Sequence, residues 1–244
     1  MDLRYKLSSL LFPSVSNLWF IFHLSTYMKQ LVIFDLDGTL LDTVADLANA
    51  TNQALERCGY PTHPTDAYYK FVGNGINKLF ARALPAEHST EENVQLIRSI
   101  FVPYYNEHNA DCSHPYPGIV ALLETLQERG VQLAVASNKY HEATLKLVRH
   151  FFPSIRFVAI YGQRDGVPIK PAPDVVYDIL HDTGIAKEDT LYVGDSGVDM
   201  QTARNAGVES IGVTWGFRSA EELHENGAMH IIHEADEIEK IVYR

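Results

Sequence analysis

Short apolar runs alternate with amphipathic segments along most of this 244-residue chain, and no other feature constrains the fold as tightly. Leu31-Val32-Ile33-Phe34 is a continuous apolar run ending at acidic and glycine residues, the pattern of a strand buried on both faces of a parallel sheet. Residues 132–136, 157–161, 191–193 and 210–213 repeat it. Between them lie residues 119–129, 141–151, 173–183 and 198–206, in which apolar side chains recur three and four apart, as on one face of a helix. Gly130, Gly184 and Gly207 fall just past three of these segments, where a left-handed residue commonly closes a helix. Strands alternating with helices of this length predict βαβ units and an α/β fold with a doubly wound parallel sheet.

The alternation breaks between the first strand and Gly118. Asp42 or Thr43 can cap a helix carrying Leu47, Thr51, Ala54, Leu55 and Cys58 along one side, which Gly59 and Pro61 then end. Ser89 with Glu92 has the spacing of a capping box ahead of Val94, Ile97, Ile100 and Phe101. Pro103 is expected to kink or stop that second helix. Residues 43–113 therefore read as a helical insertion whose two connections lie side by side, with residues 28–42 and 114–244 forming the sheet-bearing unit. An insertion so placed can act as a lid.

A formal net charge of −11, spread along the chain, opposes binding to a polyanion, and no basic run offers counterion release, so nucleic acid is not expected as a partner. A small phosphate ester bound with a divalent cation remains compatible, because the cation inverts the local field. Cys58 and Cys112 have neither CxxC nor metal-ligand spacing and read as free thiols of a reducing cytoplasm. Residues 1–27 have a basic start and an interrupted apolar middle, like a faint signal peptide, but Pro13, Ser14, Ser16, Asn17 and His23 break the run and no small-x-small cleavage site follows. The segment is too short and polar to span a membrane. It is expected to lie outside the fold, with the folded part starting near Met28, itself a possible translation start.

Chemistry concentrates at the strand ends. Asp35-Leu36-Asp37-Gly38-Thr39-Leu40 directly follows the first apolar run. In an open α/β sheet ligands bind beyond the carboxyl ends of the strands, so carboxylates at i and i+2 there can converge on one site. Gly38 lets backbone approach an anion, and N–H groups around it are expected to form an anion nest. An acidic turn or a calcium loop is the competing reading. The calcium loop fails because the twelfth residue from Asp35 is Asp46 and the positions between are largely apolar. Ser137-Asn138-Lys139, Lys170-Pro171-Ala172-Pro173, and Gly194-Asp195-Ser196 with Asp199 also stand beyond strand ends. Each alone is an ordinary cap, solvated lysine or turn. Their joint placement is not explained by capping.

With these four segments in this order, the stretch from about Leu31 to Trp215 resembles the haloacid dehalogenase superfamily of phosphatases. The resemblance implies a Rossmann-like core and makes the helical insertion similar to that superfamily's α-helical cap domain. It implies Asp35 as nucleophile, forming an aspartyl phosphate, and Asp37 as the acid that protonates the leaving alcohol and the base that activates water. Mg2+ would take oxygens from Asp35, the Asp37 carbonyl and Asp195, with Asp199 supporting them or orienting Lys170. Gly38, Thr39, Ser137, Asn138 and Lys170 would bind the phosphoryl group. An intact Asp-x-Asp favours phosphoryl transfer over dehalogenation, because an alkoxide leaving group needs a proton and a halide does not.

Phe71-Val72-Gly73-Asn74-Gly75 with Arg82, and Thr214-Trp215-Gly216-Phe217, resemble segments of phosphoglycolate phosphatases. Gly73, Asn74, Gly75 and Arg82 are accordingly the expected specificity residues, and Arg82 or Lys78 could meet a substrate carboxylate, although a turn and a solvated charge explain the same residues. The expected substrate is a small phosphorylated metabolite, 2-phosphoglycolate foremost. Sugar phosphates, pyrophosphate, a phosphomutase reaction, or a non-catalytic binding protein on the same fold are the alternatives. A cytoplasmic monomer or homodimer is expected. His230-x-x-His233 reads as a surface or packed pair rather than a zinc site, Tyr68-Tyr69 and Tyr104-Tyr105 as packing, and His141 as a helix-start residue.

Overall fold

The computed structural model describes residues 28–244; the expectation for residues 1–27 falls outside them. Six parallel strands form the sheet: β1 (Leu31–Phe34), β4 (Gln132–Tyr140), β5 (Phe157–Gln163), β6 (Thr190–Gly194), β7 (Glu209–Val213) and β8 (His230–Ile232), in the order β5-β4-β1-β6-β7-β8. This is a Rossmann-like doubly wound sheet. The chain winds outward from β1 through β4 to β5, then returns to the other side of β1 and winds out through β6, β7 and β8. The reversal beside β1 opens a crevice at the carboxyl end of the central strands.

The period-two alternation of strand side chains sorts the core into two layers. Val32, Phe34, Leu133, Val135, Leu191 and Val193 pack with Leu122, Leu123 and Leu126 of helix α5 (Ile119–Glu128) and with Ile238 and Ile241 of α10 (Glu237–Val242). Leu31, Ile33, Ala134, Ala136 and Tyr192 pack on the opposite face with Val176 and Ile179 of α7 (Asp174–Thr183) and Ala203 and Ala206 of α8 (Gly197–Ala206). Helix α6 (His141–Phe151) follows β4, and the short α9 (Ala220–Glu225) follows β7. Gly130, Gly184 and Gly207 have φ of +83°, +68° and +74°, the left-handed closures that the sequence predicts.

Between β1 and α5 lie four helices, α1 (Val44–Arg57), α2 (Thr65–Phe71), α3 (Ile76–Ala83) and α4 (Glu91–His108), built around Leu55, Tyr68, Phe80, Phe101 and Tyr105 as a core of their own. The chain leaves and rejoins the sheet-bearing unit through a two-stranded antiparallel pair, β2 (Leu41–Asp42) and β3 (His114–Pro115), with Leu41 opposite Pro115 and Asp42 opposite His114.

Four local expectations are corrected. Pro103 neither stops α4 nor separates it from Phe101 and Tyr105. It lies on the exposed face, so the Ser99 carbonyl that loses a partner is on the solvent side. Thr90, not Ser89, caps α4, its hydroxyl accepting from the Asn93 N–H at 3.3 Å, while Ser89 donates to the Ala81 carbonyl at 2.8 Å. β4 runs on to Tyr140, so Ser137–Lys139 belong to an irregular extension of the strand rather than to a turn after it. The late apolar stretch forms a sixth strand, β8, in which His230 pairs with Glu209 at 2.6 Å, while His233 meets Thr214 at 2.8 Å; the two imidazoles serve different partners.

Candidate active site

The Asp35 N–H donates to the Val193 carbonyl at 2.9 Å, so Asp35 continues the sheet register for one residue past β1. Its side chain therefore emerges at the carboxyl edge of the sheet. The Leu36 carbonyl then accepts from the N–H groups of Thr39, Leu40 and Leu41 at 3.3, 3.0 and 3.0 Å, folding the chain back so that Asp37 stands beside Asp35.

This tight turn corrects the expected anion nest. The Gly38 N–H donates to the Leu41 carbonyl at 2.9 Å, the Thr39 N–H is taken by Leu36, and the Thr39 hydroxyl donates to Asp195 Oδ1 at 3.2 Å. Gly38 is required for a different reason. At φ +91° a Cβ there would lie 2.3 Å from Asp195 Oδ2, and a Cβ at Gly216 would lie 2.3 Å from both the Gly38 carbonyl and Asp195 Cβ. Only bare backbone on both sides lets the Asp195 carboxylate approach the turn after Asp35.

Lys170 is the hub of the basic side of the site. It is 3% exposed, and its Nζ lies 2.9 Å from Asp35 Oδ1, 2.7 Å from Asp199 Oδ1, 3.0 Å from the Ala136 carbonyl and 3.1 Å from the Tyr192 hydroxyl. The Asn138 side-chain amide holds its backbone from both sides, Oδ1 accepting from the Lys170 N–H at 2.9 Å and Nδ2 donating to the Lys170 carbonyl at 3.1 Å. Burial alone would push the Lys170 ammonium pKa down, but Asp199 and Asp35 override it and hold it well above the ordinary lysine value.

Asp37 is held by two residues that sequence reasoning does not assign to it. Lys139 Nζ donates to its two oxygens at 3.0 and 3.2 Å, and the Thr43 hydroxyl donates to Oδ1 at 2.6 Å. Thr43 precedes α1 but makes no side-chain cap, because its hydroxyl is turned to Asp37; Asp42 Oδ1 accepts from the Val44 N–H instead, at 3.3 Å. The Lys139 side chain is 2% exposed and its ammonium stands 4.8 Å from the centre of the Tyr105 ring of α4. Ser137 and Lys139 share strand parity, the one signal that could have placed Lys139 beside the expected phosphate-binding serine.

Oxygens of Asp35, Asp195 and Asp199 lie within 4.8 Å of one another, a group that could hold a metal ion. Asp199 is the least available of them. Its Oδ1 accepts from Lys170 and from Tyr192 (3.3 Å), and its Oδ2 accepts from the Ser196 hydroxyl and N–H at 2.6 and 3.1 Å in the capping box of α8. Burial, with Asp199 and Asp35 nearby, pushes the Asp195 carboxyl well above its ordinary range. Burial likewise raises Asp35 to about 7, against the opposing pull of Lys170. When ionised, the four carboxylates (Asp35, Asp37, Asp195, Asp199) facing two ammonium groups (Lys139, Lys170) leave an excess of two negative charges in a buried site. That imbalance and an all-oxygen donor set fit a hard divalent cation.

Above the carboxylates lies a small, partly open chamber. Leu47, Val72, Gly73, Gly75, Ile76 and Leu79 form its roof and walls, with Asp35, Asp37, Ser137, Asn138 and Lys139 below. Gly73 and Gly75 thus reach the site. Arg82, Lys78 and Asn74 line a second cleft beside Ile169, Lys170 and Pro171, so that it meets the site at Lys170, and the Arg82 guanidinium is held by the Phe71 carbonyl and Asn74 Oδ1 at 2.8 and 2.7 Å. The roof is fastened to the sheet side by Arg218, which donates to the carbonyls of Tyr69 and of Val72 (2.7 Å), and by Asn138 Nδ2 donating to the Gly73 carbonyl at 3.2 Å. The neighbouring Phe217 N–H donates to Asp195 Oδ2 at 2.7 Å. His141, the first residue of α6, accepts from the Gly162 N–H at 3.3 Å and stays outside the chamber lining. Among the described residues no helix is long and apolar enough to cross a membrane.

Known proteins share this arrangement. The sequence profile of the haloacid dehalogenase-like hydrolases matches residues 32–213. The phosphoglycolate phosphatase of Pasteurella multocida is 34% identical over 194 residues, which cover 77% of this chain and 87% of that protein. The phosphoglycolate phosphatase of Neisseria meningitidis is 35% identical over 202 residues, covering 82% and 86%. Among solved structures, a predicted phosphoglycolate phosphatase from Haemophilus somnus superposes with a TM-score of 0.82 at 30% identity, covering 89% of this chain and 99% of that one. This chain, with its acidic turn after β1 and its acidic pair after β6, belongs to the haloacid dehalogenase-like hydrolase family and is phosphoglycolate phosphatase-like.

Proposed function

We propose that this protein hydrolyses a small phosphate monoester of the 2-phosphoglycolate class through an aspartyl phosphate on Asp35. One observation carries the reading. Asp35 and Asp37 leave the same turn, yet each is bound by its own buried lysine, Lys170 for Asp35 and Lys139 for Asp37. Two adjacent carboxylates held in different surroundings suit two different tasks.

An Asp35 oxygen attacks phosphorus as the bond from phosphorus to the ester oxygen breaks, and Asp37 delivers its proton to that departing oxygen. Asp37 then takes a proton from water, which attacks the aspartyl phosphate and returns Asp35 and inorganic phosphate. Ser137 and Lys170 would hold phosphoryl oxygens, and Asp199, bonded to Lys170, would act through it. Asp35, the Asp37 carbonyl and Asp195 would hold Mg2+, which when bound neutralises the repulsion between carboxylate and phosphate. Gly38 and Thr39 contribute by admitting and fixing Asp195.

Residues 28–42 and 114–244 form the catalytic core in this reading, and residues 43–113 form a cap that opens to admit substrate and closes to exclude water. Gly73, Asn74, Gly75 and Arg82 shape the cap segment over the site. Two free thiols, Cys58 and Cys112, are in keeping with a cytoplasmic enzyme acting on a small phosphorylated metabolite.

Phosphate release from a panel of esters, with Mg2+ and with chelator, tests the reading in wild type and Asp35→Asn. Mg2+-dependent release that the substitution abolishes is expected. A folded wild type that releases no phosphate from any ester, or an Asp35→Asn variant of undiminished activity, would refute it.

A further inference from the structure

Lys139 sits differently from every other cation near the site. The chamber over Asp35 and Asp37 is walled by Leu47, Val72, Ile76, Leu79 and two glycines, and among the described residues Lys139 is the one cationic residue lining it. Its ammonium has three N–H donors. Two are directed to the oxygens of Asp37, and the Tyr105 ring face lies beside the charge. Among the described residues the third donor has no acceptor, and Lys139 lines the chamber. A negative charge carried into apolar surroundings must be paired there, since an unpaired buried charge is costly. The other candidates lie elsewhere. Arg82 and Lys78 border the second cleft, which meets the site at Lys170 and not in the chamber, and the Arg82 guanidinium is already held by Phe71 and Asn74. Arg218 is bound to the carbonyls of Tyr69 and Val72.

We infer that Lys139 is a specificity-determining residue that bonds an anionic group on the leaving alcohol, a carboxylate a short distance from the ester oxygen, while keeping its contact with Asp37. The inference rests on the phosphatase reading and adds the residue that selects the leaving group. Its geometry limits the substrate as well. The ammonium is 3.0 Å from an Asp37 oxygen, the group assigned to protonate the ester oxygen, so only a carboxylate within one or two carbons of that oxygen can reach both. A longer acid would have to press its charge against Leu79 or Ile76.

The test compares kcat/KM for 2-phosphoglycolate and for 2-hydroxyethyl phosphate, which has an alcohol in place of the carboxylate, in wild type, Lys139→Gln, Lys139→Arg and Arg82→Gln. Wild type is expected to prefer the carboxylate. Lys139→Gln slows both esters through Asp37 but should also cut the preference about 10- to 100-fold, the worth of one charged hydrogen bond. Lys139→Arg should keep much of the preference and Arg82→Gln all of it, with thermal melts confirming that each variant is folded. A wild type that hydrolyses both esters equally overturns this inference alone, and needs no variant to do so. A preference that survives Lys139→Gln but is lost in Arg82→Gln overturns it too. Hydrolysis of neither ester overturns the inference, and the wider ester panel decides whether the phosphatase reading falls with it.

Discussion

Replacing Lys170 by methionine is the most direct perturbation of the site's charge balance. Methionine nearly fills the same volume, so the loss is chiefly that of the ammonium. Four polar contacts disappear with it, to Asp35, Asp199, the Ala136 carbonyl and the Tyr192 hydroxyl. Asp199, 0% exposed, is left with Ser196 and Tyr192 and with no cation in contact, and it faces Asp35 directly. Breaking a buried pair by removing one partner costs about 3–5 kcal/mol. For a protein of this size that corresponds to a fall of roughly 6–20 °C in melting temperature. The assay is thermal unfolding in chelator near neutral pH for Lys170→Met, Asp199→Asn and the double variant. The double variant should be more stable than the summed single losses predict, by about 1–3 kcal/mol, because each single change strands the other's charge. A Lys170→Met melting temperature within ~2 °C of wild type, or losses that simply add, would show that the pair is not the buried, coupled unit described here.

Two further outcomes follow from the same site. A Cβ at Gly216 would meet Asp195 Cβ and the Gly38 carbonyl at 2.3 Å; Gly216→Ala should cost about 1–3 kcal/mol as overpacking and shrink the Mg2+-induced rise in melting temperature, and an undiminished rise would contradict the close approach. Asp35 is raised from 3.8 to about 7 by burial, so the folded state holds its proton more tightly than the unfolded chain does. Metal-free stability should therefore fall as pH rises from about 4 to about 7, while Mg2+ or Asp35→Asn flattens the slope; a metal-free protein that gains stability across that window through this group would contradict the assignment.

Much of the site is legible in the sequence because a parallel sheet places chemistry at strand ends. Asp35, Ser137 and Asp195 each follow an apolar run, and the fold brings those runs together as neighbours around β1. Lys170 is less local, and its place depends on Asn138 pinning its backbone from another strand. Lys139 reads in the sequence as an ordinary lysine after a strand. Its burial is created by Tyr105, on a helix of the insertion, and no periodicity within β4 reports that. Thr43 likewise reads as a helix cap, because the competing acceptor, Asp37, comes within reach only once the Leu36 turn has closed. β8 has only three residues, one of them histidine, too few to establish a period. Pro103 was misjudged because its cost depends on which face of α4 meets solvent, a property of packing rather than of the residue.

The pairing of Leu41–Asp42 with His114–Pro115 has a consequence for how the chain tolerates change. Seen from the sheet, everything between these two short strands is a closed loop whose ends are held about 5 Å apart. The entropy of closing such a loop grows only with the logarithm of its length, about 0.6 kcal/mol per doubling. The sheet is therefore nearly indifferent to the size and architecture of what it carries there. The segment answers to its own core, around Leu55, Phe80 and Phe101, and to the chamber that Val72, Gly73, Ile76 and Leu79 line, more than to the sheet that carries it.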